Sequence, residues 1–139
     1  MVHALKEAHR VLIPKGTMID VRPLSIDVPL EVVYEGGYES AGLIDMSPGS
    51  ELDRAADAAI ESVLMDRFYE ESMLEYFDYT YNWTTIEGME EDLEENWKDE
   101  VNLPLEVSQR AHLIFDQHRQ QAKIRVPARM KLGKYVKLP

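Results

Sequence analysis

The sequence predicts a mixed α/β fold, and three observations carry that reading. The hydrophobic period changes from helical to alternating near residue 73. A Gly36-Gly37 pair sits between two runs suited to strands. The segment KIRVPARMKL alternates cleanly between apolar and basic residues.

The elements follow in order. Residues 2–12 read as a short helix, with Leu5, Ala8 and Leu12 at helical spacing and Lys6, Glu7 and Arg10 on other faces. Pro14-Lys15-Gly16 stops it, because proline cannot continue the ladder and glycine tolerates positive φ. Residues 17–21 form a brief apolar strand that Pro23 closes, with Asp20 and Arg22 near its C-terminal end. Residues 30–35 and 38–46 flank Gly36-Gly37 as a hairpin. A loop through Ser47, Pro48, Gly49 and Ser50 follows, and Ser50 with Asp53 is a helix N-cap signature.

A helix over residues 51–68 places Leu52, Ala56, Ala59, Ile60, Val63 and Phe68 broadly on one face. In residues 73–83, Phe77, Tyr79, Tyr81 and Trp83 alternate with smaller or polar side chains, the spacing of a strand with an aromatic face. Thr84 with Glu87 offers a capping box for a helix striped by Ile86, Met89, Leu93 and Trp97. Pro104 suits the first turn of another helix, burying Val107, Ala111, Ile114 and Phe115. In the last strand, residues 123–132, Pro127 removes a ladder donor, so a bulge or unpaired step is expected there.

Composition narrows the function. The chain has 139 residues, the size of one domain, with 45% hydrophobic and 29% charged residues, a globular balance. No apolar run approaches the roughly 18 residues a membrane span requires, and the N-terminus carries no secretory pattern. A cytoplasmic location is therefore expected. Cysteine is absent, which excludes disulfides and thiolate metal sites. The net charge of −11 argues against nucleic acid as the main partner. Residues 87–100 are almost wholly acidic at their polar positions and residues 123–137 wholly basic in charge. Such segments either pair, recruit a partner, or form solvated faces.

The stretch LKEAHRVLIPKGTMIDVRP resembles the segment L-x-E-x-x-R-V-L-x-P-x-G of class I S-adenosylmethionine-dependent methyltransferases. Leu5, Glu7, Arg10, Val11, Leu12, Pro14 and Gly16 match, while Lys15 stands where the family usually has glycine. The motif covers about the first 23 residues, a packing and turn signature without catalytic atoms; element order extends the likeness over most of the chain. The resemblance implies a Rossmann-like methyltransferase sheet, truncated, with mixed parallel and antiparallel strands. Its last two strands would form an antiparallel hairpin, the seventh inserted beside the fifth. It also implies a glycine-rich cofactor loop and an acidic ribose ligand in the earlier half. No such loop occurs here: Gly36-Gly37 lies in a hairpin and Gly133 precedes no helix. The chain thus reads as the C-terminal half, contributing a substrate-side wall. S-adenosylmethionine would bind only when a partner completes the site. The family's fifth strand is interior, so TMIDV would here lack a neighbour. A homodimer or a separately encoded N-terminal methyltransferase half is the expected partner.

The sequence identifies no catalytic residue. Asp20 and Arg22, beyond the carboxyl end of a strand, are substrate-side candidates or a structural salt link. Tyr79 and Tyr81 are candidates for a pocket wall or for core. His3 and His9, like His112 and His118, are six apart and share no helical face, which disfavours a metal pair. Glu90, Glu91, Asp92, Glu94 and Glu95 read as a solvated helix face rather than an acid–base pair. Two rival classes remain: a non-catalytic dimerisation or regulatory module, and a small-ligand protein with a pocket beside the hairpin and the aromatic strand.

Overall fold

The computed structural model describes residues 1–139. The chain is α/β, with four α-helices and five strands. In chain order they are α1 (Val2–Val11), β1 (Thr17–Pro23), β2 (Val28–Tyr34), β3 (Gly37–Ile44), α2 (Ser50–Met65), β4 (Tyr69–Trp83), α3 (Ile86–Asn96), α4 (Leu105–Gln117) and β5 (Lys123–Lys137). No helix is long and apolar enough to cross a membrane. The residues group into two compact units: Met1–Leu24, Glu51–Phe77 and Arg129–Pro139 form the first, and Ser25–Ser50 and Asp78–Ala128 the second.

In the first unit β1 runs antiparallel to β5, from Thr17 opposite Val136 to Pro23 opposite Met130. β4 also pairs with β5, and β1 has no other strand neighbour. The core gathers Ile60 and Val63 of α2 with Tyr69 and Tyr135, and Leu5, Leu12, Met18 and Phe68 pack on it. Tyr69 is 1% exposed, and its hydroxyl donates to the Leu5 carbonyl at 2.9 Å, so the buried ring leaves no polar atom orphaned. Alternation along β1 puts Met18, Asp20 and Arg22 inward; Ile19 and Val21 stay 61% and 46% exposed.

α2 stops earlier than the predicted residue 68. Phe68 N–H donates to Val63 O and Arg67 N–H to Leu64 O, while Arg67 takes φ 59°. This is a Schellman ending with arginine in the left-handed position that glycine usually fills. β4 consequently begins at Tyr69, four residues before the predicted start.

In the second unit β2 and β3 form the predicted hairpin, displaced by one residue at its turn. Tyr34 pairs with Gly37, leaving Glu35 and Gly36 as the loop, and Gly36 takes φ 94°. A register shift between Leu30 and Glu31 adds a bulge. β2 is antiparallel to β5 from Glu31–Arg125 to Val33–Lys123. Leu30, Val32 and Ile44 of the hairpin fill the core with Ile86, Met89, Val107, Ala111, Ile114 and Ile124, the residues that the periodicities of α3, α4 and β5 turn inward.

Two caps differ from expectation. Ser50 has helical angles (φ −63°, ψ −30°) and lies inside α2, which continues directly from the 3-10 turn Ser47–Gly49. An N-cap needs a non-helical backbone. Thr85, not Thr84, caps α3, accepting from Gly88 N–H at 3.1 Å, so no Glu87 capping box forms.

The sheet ladders differ from the mixed pattern expected. The β1–β5, β2–β3 and β2–β5 ladders are all antiparallel. A parallel neighbour for β1 would have to lie on its other edge, where the chain has no strand. Pro127 lies outside the β2 and β1 ladders of β5, which end at Arg125 and begin at Met130; β4 pairs with β5 as well. The missing donor thus takes no bond from the β1 or β2 ladder.

Candidate functional site

Asp20 and Arg22 stand two apart on β1 and so point the same way. Arg22 Nε donates to both oxygens of Asp20, at 2.9 and 3.2 Å. The rest of the guanidinium turns to α2: Nη1 reaches the Asp53 carbonyl at 3.2 Å, and Nη2 donates to Asp57 Oδ1 at 2.6 Å. Asp53 and Asp57 are one helical turn apart and therefore share a face. Lys131, the register partner of Arg22 on β5, donates to the same Asp57 oxygen at 2.9 Å.

The electrostatics follow from this crowding. Burial alone would lower the Arg22 pKa, but hydrogen bonds and charge from Asp57 and Asp20 raise it above its ordinary value. Burial alone would raise that of Asp57, yet Arg22 and Lys131 hold its carboxyl below the usual range. The hydrogen bond to Asp57 raises Lys131. Three carboxylates against two cations give the cluster a formal charge of 2 − 3 = −1.

Chemically this is a clamp. The guanidinium fork already holds two side chains and a carbonyl through Nε, Nη1 and Nη2, so all three of its nitrogens are engaged within the chain. Lys131, the one amine in the cluster, is held protonated by its bond to Asp57 and so is no free nucleophile. The sequence paired Asp20 with Arg22 by position but missed Asp53, Asp57 and Lys131. Their signal was the i, i+4 spacing of two aspartates on a helix also rich in alanine.

Tyr79 and Tyr81 belong to the second unit. Their rings meet edge to face at 4.9 Å, and Tyr81 also stacks on Trp83 at 6.1 Å and meets Trp97 edge-on at 5.9 Å. Burial, with smaller contributions from Tyr79 and Glu100, raises the pKa of the Tyr81 phenol. Tyr79 is 50% exposed. Tyr81 is thus a packing element and Tyr79 its outer edge, an aromatic ledge rather than a closed pocket wall.

Two other sets of residues acquire specific partners. His9 lies edge-on to Phe68 and Tyr69 and bonds the Leu138 carbonyl at 3.1 Å, while His118 stacks on Tyr34 at 3.8 Å. The acidic run on α3 is less uniformly solvated than expected. Asp92 accepts from Trp83 Nε1 at 3.0 Å and from Asn96 at 2.7 Å; Glu90 accepts from Ser108 at 2.5 Å and lies 3.4 Å from His112. Ser108, Glu90 and His112 do not constitute a nucleophilic triad, because the carboxylate rather than the imidazole receives the hydroxyl proton. Arg125 and Lys131 of the basic segment bond Glu31 and Asp57, not the acidic helix. No group of three or more His, Asp or Glu side chains is arranged to hold a metal ion. No protein-family model matches the chain, and no curated protein or solved structure is similar to it.

Proposed function

We propose that this chain is the later portion of a class I methyltransferase-like, Rossmann-type domain. In this reading it forms a substrate-side wall, and S-adenosylmethionine binds once an N-terminal half supplies the glycine-rich loop. One observation carries it: β5 lies between β1 and β4 as a strand partner of both, and β1 keeps a free outer edge. That is the neighbour order the resemblance implies for the family's fifth, seventh and sixth strands. Exposed Ile19 and Val21 on the edge strand β1 further support a missing neighbour. The methyl acceptor would be positioned for in-line displacement, where orientation supplies much of the rate.

A second reading is a non-catalytic dimerisation or regulatory module, with a homodimer as the assembly. The Arg22 clamp favours it, because it ties β1, α2 and β5 together and its charged groups are paired with one another.

Calorimetry with S-adenosylmethionine separates the two. The isolated chain is expected to give no heat of binding. Addition of a polypeptide encoded immediately upstream, containing a strand, a G-x-G-x-G turn and a helix, is expected to create binding. Tight binding by the isolated chain would overturn the first reading, and so would an upstream sequence without that motif.

A further inference from the structure

The second unit contains a groove that neither the Arg22 clamp nor the proposed methyl transfer uses. It has a volume of about 400 Å3 and runs along α3, the following loop and the first turns of α4. Small-molecule sites span about 300–1,000 Å3, so the space suits a compact ligand.

The walls divide by chemistry. Leu93 and Leu105 give apolar surface, and Leu105 is 70% exposed at the start of α4. Glu90 and Glu94, one turn apart on α3, bring two carboxylates to the same wall. Ser108 and His112 both contact Glu90 through Oε1, which fixes the carboxylate and leaves Oε2 for a donor from the groove. Glu94 has no hydrogen bond or ion pair with the chain. Lys98 contributes a single opposing cation. Two carboxylates beside leucine surface select a cation on an apolar body: an ammonium group donates to the acids while its hydrocarbon covers the leucines. An anionic head group meets net repulsion.

We propose that this groove binds a small primary amine with an apolar tail. The inference is independent of the methyltransferase reading and involves no cofactor.

The test is a nuclear magnetic resonance titration of the full chain with hexylammonium, hexanol and hexanoate in parallel. Hexylammonium is expected to shift the amides of residues 90–108 saturably, hexanol more weakly and hexanoate not at all. Glu94→Gln disturbs no internal bond, and it should weaken hexylammonium binding by about two- to fivefold, the range of an exposed ion pair. Raising the salt should weaken it further. Equal responses to the amine and the alcohol, shifts centred elsewhere, or an unchanged affinity in Glu94→Gln would each overturn the proposal.

Discussion

Arg22 and Asp57 are joined by the shortest bond of the clamp, 2.6 Å from Nη2 to Oδ1, across 35 residues of sequence. Asp57 is half exposed, so the link is worth only about 0.2–1 kcal/mol. Its pH dependence has a definite sign. The folded pKa lies below the ordinary 3.8, so the contribution is complete above that value and is lost as pH falls through the folded pKa. Asp57→Asn should therefore lower the urea midpoint at pH 7 and flatten the fall in stability below about pH 4. Parallel acid limbs in variant and parent would count against the clamp.

The same carboxylate sets an alkaline limb. Lys131 is raised above 10.5 by its bond to Asp57, so its contribution is full below that value and declines as pH rises through the folded pKa. In Asp57→Asn that alkaline decline should shrink too, measured by denaturant titration from pH 9 to 12. An unaltered alkaline limb would place the stabilisation of Lys131 elsewhere.

Gly133 lies under the ring of Tyr135, two residues later on β5. A Cβ at 133 would fall closer to the Tyr135 hydroxyl and ring carbons than real side chains approach. Tyr135 is 2% exposed in the core of its unit, so the ring has little room to yield. Gly133→Ala should cost about 1–3 kcal/mol, the usual range for overpacking. Adding Tyr135→Phe should recover part of that loss by removing the nearest atom. Full stability of Gly133→Ala in thermal unfolding would refute this packing.

Arg67 supplies the opposite case. Its φ of 59° costs a residue with a Cβ about 1–2 kcal/mol relative to an unstrained position. Glycine removes that strain, although it adds freedom to the unfolded chain. Arg67→Gly should raise the melting temperature slightly, by up to about 1 kcal/mol in stability. A lower melting temperature would mean that the arginine side chain contributes more than its backbone costs.

These sites also mark what was legible in the sequence. Leu30, Ile86, Met89, Val107 and Ile124 lie in the core because period and burial are local consequences of one another. The misplaced boundaries arise where two neighbouring residues offer the same chemistry: Thr84 beside Thr85, or Gly36 beside Gly37. Arg67 ended α2 without a glycine or proline to announce it. Asp53, Asp57 and Lys131 were missed for another reason. They meet Arg22 only because α2 and β5 both pack against β1, a product of topology that no local pattern encodes.

Ile19 and Val21 lead to the last prediction. Both are exposed and apolar on a strand whose outer edge has no partner, a combination that invites pairing with another chain. If this edge is the docking surface, the chain should self-associate in the absence of its complement, and size-exclusion chromatography with light scattering should detect it at tens of micromolar. Ile19→Lys places a charge on the exposed side and removes no core contact. It should leave stability within about 0.5 kcal/mol, abolish association and prevent any gain of S-adenosylmethionine binding from an N-terminal half. A parent chain that stays monomeric, or a lysine variant that still associates, would move the interface away from β1.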